Sequence, residues 1–482
     1  MPTPAEAARA IIAWVGQRPL AAVARDLAAL PDGDALLQGA DLIADAADSD
    51  DEAVRGAGLA ALFGGLVEPL NDGFTPAGRA AYARFFGRIV WRVVTRTPSL
   101  QTALAAVGII SETALLARHA EVRGTARPAP AQAQRIVVLS RVTIGADILL
   151  SSVVLQRLHQ RYPQAELVLL GDGKLQGLFG GLPRVRVRPI SYARRGPLRE
   201  RLASWLTVVA AVAEERADLV VAPDSRLDQL GLLPVGDAAR YLLWENLQAE
   251  GAPPASLAVL LDQWLARTLG LSVAPAVAPR VALDPAATAL RQRLHAAFGP
   301  APIAAVKLDH GGNPAKSLPK AAEVAILRHL RALGWRILLD RGFGADELAN
   351  SDALLAELGW TALDLDDSGK GLGRAVDGLT PGCLADTALL RFHGSISGWA
   401  AALADCGHAL SYDSVGHHLA GALGVPVTVA FTGHLDPAFP IAWQPRGRAP
   451  IRVVEIATAA RNVPQGWQAV LGALPAPSTQ RP

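Results

Sequence analysis

Cysteine is almost missing from this sequence: of 482 residues only Cys383 and Cys406 carry a thiol, and they are not in C-x-x-C spacing. That excludes a disulfide framework and a cysteine-ligated metal site, and it points to a reducing compartment. An excess of charge of either sign is missing too, since 46 Lys and Arg stand against 44 Asp and Glu for a formal charge of +2. Nothing global therefore draws the chain to nucleic acid or to an anionic membrane. No uncharged run approaches membrane-spanning length, and the opening MPTPAEAARAI is not a charged leader followed by a long apolar core. The expectation is a soluble cytoplasmic protein with no transmembrane segment. G-x-G-x-x-G and G-x-x-x-x-G-K-[ST] are both absent, which removes a fingerprint dehydrogenase and a P-loop kinase.

What is present is length and apolar content: 482 residues, 51% of them hydrophobic, enough for two or three domains with sizeable cores. Residues 1–123 read as amphipathic helices, AEAARAIIAWVGQ to SLQTALAAVGIISETALLARHA, without strand alternation. GTARPAPAQAQ, at 124–134, reads as a linker. From there the pattern alternates. RIVVLS, DILLSSVVLQRLHQRYP and AELVLLGD form a β-α-β opening, which ADLVVAPD continues after another helix, so residues 135–283 are expected to be a Rossmann-like domain. A second such domain is expected over 284–482, running from IAAVKL through WRILLD, TALDLD and HALSYD to VPVTVAF, with a terminal helix that packs back near the first. The basic run RVRVRPISYARRGPLRER, at 184–201, reads as a solvated surface, with an acidic acceptor as the lesser alternative.

Two segments of the second half point to an anionic ligand. In SYDSVGHHLAGALG, residues 411–424, an acidic turn opens a helix expected over Val415–Leu423. Its free backbone N–H groups and aligned peptide dipoles favour a phosphate. Asp413 and Ser414 equally suit a plain helix cap. Independently, Asn313-Pro-Ala-Lys316-Ser-Leu-Pro319 follows a strand and the turn DHGG and opens a further helix, so Lys316 is placed to meet the same kind of ligand.

These segments resemble the ADP-heptose:lipopolysaccharide heptosyltransferases, inverting glycosyltransferases of two facing Rossmann-like domains. The K-x-W-P loop of that family is similar to Lys316-Ser-Leu-Pro319, and its D-[ST]-G-x-x-H-L-A-A-A-L-G-x-P signature to the stretch starting at Asp413. A G-x-x-S-x-x-x-L-A-A-L segment is similar to GSISGWAAALADCGHAL, and a strand followed by S-x-G-D to RIVVLSRVTIGAD. The resemblance covers roughly residues 134–472. There are departures: Val415 stands where the signature has glycine, Leu318 replaces the tryptophan, and the glycine before Asp147 has moved back to Gly145.

The resemblance implies an α/β fold of two facing Rossmann-like domains (GT-B type), here preceded by an all-α N-terminal module. It implies a donor site formed by Lys316, Asp413, Ser414, Val415, Gly416, His417 and His418, with Glu347 near the nucleoside and Asp147 as general base. Each has a plainer alternative: Asp147 is an N-terminal helix cap or first-turn acid, Glu347 an exposed helix-start acid, and His417 and His418 packed histidines. His310, His393, His408 and His434 have no metal-ligand spacing. The implied reaction is metal-independent and needs no cofactor. It transfers heptose or a related sugar, with inversion, from a nucleotide-diphosphate donor such as ADP-heptose to a glycan, lipid-linked glycan or protein acceptor. The implied location is the cytoplasm, with attachment to the face of the inner membrane as a variant. Two other readings stay open: a degenerate transferase that serves as a scaffold, and a nucleotide-sugar epimerase or hydrolase.

Overall fold

The computed structural model describes residues 2–124, 129–249, 252–308, 313–434 and 436–477. Part of the expected linker (125–128) and the DHGG turn with His310 lie outside the described residues. The chain forms two compact units that are discontinuous in sequence. One comprises Met1–Val142, Arg157–Asp172 and Arg188–Pro275, and the other Thr143–Gln156, Gly173–Val187 and Ala276–Pro482.

Apolar strands buried on both faces are the mark of parallel sheets, and both sheets here are of that kind. The first consists of β1 (Arg135–Leu139), β2 (Glu166–Gly171), β3 (Val185–Pro189), β4 (Leu219–Pro223) and β5 (Tyr241–Trp244), in the order β3-β2-β1-β4-β5. Strand β1 runs parallel to β2 and β4, and β4 to β5. The second has eight strands in the order β13-β12-β11-β6-β7-β10-β8-β9. They are β6 (Ile303–Lys307), β7 (Arg336–Asp340), β8 (Leu363–Asp366), β9 (Arg374–Ala375), β10 (Leu389–His393), β11 (His408–Tyr412), β12 (Val427–Phe431) and β13 (Ile451–Glu455). Every pair in it is parallel. Sequence alternation located most of these strands. It missed β5, β10, the edge strands β9 and β13, and the helices Ala35–Ala47 and Pro285–Phe298.

Residues 4–124 form helices, as their periodicity indicates, and they share one hydrophobic core with the first sheet. Ile11, Leu37, Ile43, Leu62, Phe85 and Ile89 are buried in the same cluster as Val137, Leu139, Val168 and Val220. The run Glu52–Asp72 is long and apolar enough to cross a membrane by length and composition, with a mean hydropathy of 1.2. Counting only uncharged stretches passes over it, because Arg55 and Glu68 interrupt it. Its Ala61, Leu62, Leu66, Val67 and Leu70 belong to the core just described. Arg88 adds a two-pronged ion pair to Asp41, both contacts at 2.8 Å, and Arg92 a second to Asp45, both at 2.7 Å.

A buried ion triad joins the helical segment to the ends of β1 and β4. Arg79 lies 2.7 Å and Arg141 2.5 Å from the Asp224 carboxylate, and all three side chains are buried. Burial works to raise the Asp224 carboxyl, but the two guanidinium groups outweigh it and hold the group below its ordinary value. Asp224 takes a left-handed backbone (φ 54°) to turn its carboxylate inward. From Arg188 on, the basic run lies in the same unit; Arg184, Arg186, Arg194 and Arg195 are exposed, as a solvated surface requires, while other arginines of the run are paired. Arg188 pairs with Glu214 and Glu215, Arg199 bonds Asp48 and Asp50, and Arg201 lies over the Phe63 ring.

The second unit has its own core, in which Ile326, Leu327 and Leu330 of the helix Lys320–Ala332 meet Val306, Leu339 and Tyr412. The terminal helix Pro464–Ala473 adds Trp467 and Val470 to it. Leu318, at the family's tryptophan position, is buried in this core, so the departure at that position serves packing.

Removing the one carboxylate that faces two buried guanidinium groups is expected to be costly. Asp224→Ala should lower the unfolding free energy by about 3–5 kcal/mol, measured by urea denaturation.

Candidate anion-binding site

Open parallel sheets bind ligands beyond the carboxyl ends of their strands, and in the second unit the sequence-predicted residues gather there. Strand β11 ends at Tyr412, and the helix Val415–Leu423 begins three residues later. Ser414 is its N-cap, its hydroxyl accepting from Gly416 N at 3.4 Å. Asp413 is left to turn toward Lys316, whose ammonium lies 2.5 Å from its carboxylate. Two segments about a hundred residues apart thus meet at one helix start.

The Lys316 loop is held in shape by its neighbours. Asn313 caps a 3₁₀ turn by accepting from Ala315 N at 3.0 Å, and the Arg461 guanidinium donates to the carbonyls of Pro314 and Ala315. The Lys316 ammonium also sits 5.5 Å from the centre of the Phe439 ring.

Glycine lets the surrounding chain press against the helix start. A Cβ on Gly416 would lie 2.7 Å from Ser411 Oγ and 2.9 Å from Lys307 Cδ, so any larger residue there would force those side chains to move. Lys307, which sequence reasoning passed over, forms a buried ion pair with Asp340 across the ends of β6 and β7. A Cβ on Gly145 would come 3.1 Å from His418 Cδ2 and 3.5 Å from Val415 Cα. The glycine displaced by one position in the Asp147 segment is therefore the residue that faces Val415. This contact brings Thr143–Gln156 against the first turn of the helix Val415–Leu423.

Asp147 is a first-turn acid and not the N-terminal cap. Thr143 holds that place, and Asp147 N donates to its carbonyl at 3.0 Å. Asp147 instead opens a π turn, Asp147–Ser151, and its buried carboxylate accepts from Ser151 Oγ at 2.5 Å. Single π turns within helices are rare and cluster at functional sites.

His417 and His418 are both buried, their Nε2 atoms 3.0 Å apart. Burial lowers His417 below its ordinary pKa against the pull of Asp413, and burial, His417 and Lys316 together place His418 well below. At neutral pH both rings are uncharged.

Glu347 caps its own helix, accepting from Phe343 N at 2.7 Å and Gly344 N at 2.9 Å with a single carboxylate oxygen. It lines a cavity of about 240 Å³ whose other wall is Pro314, Ser317 and Leu318 of the Lys316 loop. Lys320, Glu323 and Ser351 also line it, and the buried Ser351 hydroxyl has no hydrogen-bond partner among the described residues. Glu323 ties this wall to β11 by accepting from Lys320 at 3.0 Å and from the Tyr412 hydroxyl at 3.1 Å. Neither Lys320 nor Glu323 stood out in the sequence, although both lie just beyond the Lys316 loop. Beside Glu347, Phe343 is 54% exposed and stacks on His393, ring centres 5.9 Å apart.

Three other histidines singled out by sequence each make one contact through one ring nitrogen and leave the other buried without a partner among the described residues. His393 Nδ1 lies 2.8 Å from Gly342 O, His408 Nε2 3.0 Å from Thr428 Oγ1, and His434 Nε2 3.0 Å from Glu455. Burial pushes His408 down to about 4. The closely spaced carboxylates Asp364 and Asp366 are engaged, Asp364 by Arg391 at 2.7 Å and Asp366 by Ser368 N and Leu372 N at 2.8 and 3.0 Å. Among the described residues no group of three or more His, Cys, Asp or Glu side chains is arranged to hold a metal ion. In the first unit a small cavity of about 50 Å³ opens at the strand ends among Ser140, Val142, Gly171, Asp172, Tyr192 and Arg194.

No protein-family model and no curated protein matches the chain. Among solved structures, its fold is similar to that of the glycosyl transferase family 9 protein from Veillonella parvula DSM 2008. The TM-score is 0.50 at 15% identity, over 68% of this chain and 89% of that one. Fainter similarities extend to ADP-heptose lps heptosyltransferase II of E. coli (TM-score 0.45, 16% identity, 70% and 99% covered) and to E. coli heptosyltransferase WaaC with ADP (TM-score 0.46, 17% identity, 67% and 93% covered). At these identities the likeness is one of fold.

If Gly145 is needed for the approach to Val415 and His418, a branched side chain there is overpacked. Gly145→Val should destabilise the protein by about 1–3 kcal/mol, read as a lowered thermal midpoint, whereas Gly145→Ala should cost less than half as much.

Proposed function

We propose that this protein is a glycosyltransferase that holds the diphosphate of a nucleotide-sugar donor on Lys316 and the N-terminus of the helix Val415–Leu423. The observation that carries the reading is the meeting of Lys316 with Asp413 at a helix start against which glycines let neighbouring segments pack closely. A fold similar to that of a family 9 glycosyl transferase supports it.

A departing nucleoside diphosphate develops negative charge as the bond to the anomeric carbon breaks. Lys316 and the aligned peptide dipoles of a helix whose first N–H groups are capped by Ser414 supply preorganised positive potential for it. When the anion docks, Lys316 moves its contact from Asp413 to phosphate, and Asp413 turns to donor hydroxyls. Glu347 and the exposed Phe343 ring are assigned the nucleoside, the carboxylate for ribose hydroxyls and the ring for the base. Asp147 is assigned the acceptor hydroxyl as general base, in a single displacement that inverts the anomeric centre. Electrostatic stabilisation by lysine and helix makes this a metal-independent scheme. The GT-B arrangement, a heptose or related sugar on the donor, a glycan, lipid-linked glycan or protein acceptor, and a cytoplasmic location at the inner membrane belong to the same proposal.

Two measurements test it. A ligand that binds only the folded state raises its thermal midpoint, so one nucleoside diphosphate from a panel should stabilise the wild type and leave Lys316→Ala unshifted. A flat response across the panel would sink the donor-site reading and favour a scaffold protein. With the donor identified, Asp147→Asn should slow transfer about 10²–10⁴-fold while leaving donor affinity unchanged. Donor breakdown at the wild-type rate without any acceptor would favour the epimerase or hydrolase reading instead.

A further inference from the structure

The first sheet changes direction at β1. The chain lays β2 and β3 on one side and then returns to place β4 on the other, so the segments that leave β1 and β4 diverge above that pair. A crevice of this kind is where open α/β sheets take ligands. The cavity of about 50 Å³ lies there, lined by Ser140 and Val142 after β1 and Leu227 after β4, with Asp172, Tyr192 and Arg194 from beyond β2 and β3. Among the described residues seven that are not glycine have a positive φ, and four of them, Val142, Asp224, Gln229 and Leu230, stand in the segments after β1 and β4. Val142, at 75°, is β-branched, the kind of side chain least suited to that region. Such conformations persist only where the surroundings over-determine them.

The helices over 4–124 supply that restraint. Arg79 lies 2.7 Å from the Asp224 carboxylate, and the Tyr82 hydroxyl donates to Gln229 O at 3.3 Å. His119 Nε2 is 3.3 Å from Leu230 O, and Arg118 donates to the carbonyl of Gly231 (φ 84°) at 2.6 Å. Two side chains from the helix Pro76–Val94 and two from Glu112–Gly124 thus each hold a different left-handed residue. The same segment in turn holds the cavity wall. Ser225 Oγ donates to Ser140 O at 2.5 Å and accepts from Leu227 N at 3.1 Å, and Gln229 Nε2 donates to the Tyr192 hydroxyl at 3.3 Å. Val142 is fixed from both ends, its N–H donating to Ser140 Oγ at 2.9 Å and its carbonyl accepting from Arg194 Nη2 at 2.6 Å.

The lining is rich in donors. The bond to Val142 O places the Arg194 guanidinium at the cavity and uses one of its five N–H groups. The Tyr192 hydroxyl accepts from Gln229 and so has its own proton to give. Arg195 and Arg226, each next in sequence to a lining residue, are exposed, and Asp172 brings a carboxylate. At about 10–15 Å³ for each water-sized group, the volume admits a few non-hydrogen atoms. We propose that this cavity binds a carboxylate or phosphate group between Arg194 and Tyr192, and that the helices over 4–124 set its shape through Asp224–Gly231. A planar fork of N–H donors matches two oxygens of one anion. The site lies wholly within the first unit and does not depend on what the second unit binds.

The chain has five tyrosines, so ¹³Cε-tyrosine spectra of the full chain resolve Tyr192, assigned with Tyr192→Phe. Sodium phosphate and sodium acetate are titrated separately, with chloride holding the ionic strength constant. The Tyr192 signal should shift saturably with at least one of them. Saturation by phosphate alone assigns the site to a phosphorylated ligand, and by acetate alone to a carboxylate-bearing one. Arg194→Gln, at an exposed position, should bind about tenfold more weakly, and Lys316→Ala as tightly as wild type. Tyr82→Phe deletes only the hydroxyl on Gln229 O, and it should bind about threefold more weakly although Tyr82 is not in the lining. Thermal midpoints measured alongside verify that each variant is folded. No saturable shift with either salt, or equal binding in wild type and Arg194→Gln, would overturn the site. Equal binding in wild type and Tyr82→Phe would overturn the role given to the helices.

Discussion

The close seating of the helix Val415–Leu423 is the constraint from which the rest of the candidate site follows. Its first turn can take an anion only if backbone N–H groups are reachable and neighbouring chains bring their charges near. Gly416 lets the turn lie against Ser411 and Lys307, and Gly145 lets the Asp147 segment lie against Val415 and His418. A methyl group at either place would meet an atom at 3.1 Å or less. Small residues here decide where the charged ones can stand.

That seating also explains the sharing of charge. Lys316 and Asp413 neutralise one another at 2.5 Å in the free protein, and Lys307 and Asp340 do so below them. A lysine beside a carboxylate keeps its desolvation cost low. The same economy governs the first unit, where one carboxylate, Asp224, is shared between two buried arginines from distant parts of the chain. The helices over 4–124 are thereby tied to the strand ends of the first sheet by charge as well as by a common core.

The departures from the family pattern acquire physical meaning when their neighbours are seen. Leu318 fills core volume. Gly145 is displaced toward the residue it must accommodate, and His417 fills a buried position beside the Tyr412 carbonyl and the Ser414 N–H. None of these explanations is available from spacing, because each depends on an atom more than ten residues away or on which side of a ring a carbonyl lies.

Local pattern was sufficient for the elements that carry a strong period. The buried strands β1, β6 and β11, the helix Val415–Leu423 and the loop of Lys316 were all legible, because apolar runs bounded by turn residues report burial directly. Others were not: β13 alternates little and lies at an edge, β5 is four residues long, and β10, although buried, carries Arg391 and His393 in its run. Residue types could nominate Lys316, Asp413, Asp147 and Glu347, since anion and proton chemistry restrict the side chains that serve. Only tertiary structure decided that Lys316 and Asp413 touch, that Asp147 lies in a π turn rather than at a cap, and that Glu347 ties down its own helix. The reason is that contact between segments a hundred residues apart is set by how strands order themselves in a sheet, and strand order is a property of packing that no local spacing encodes.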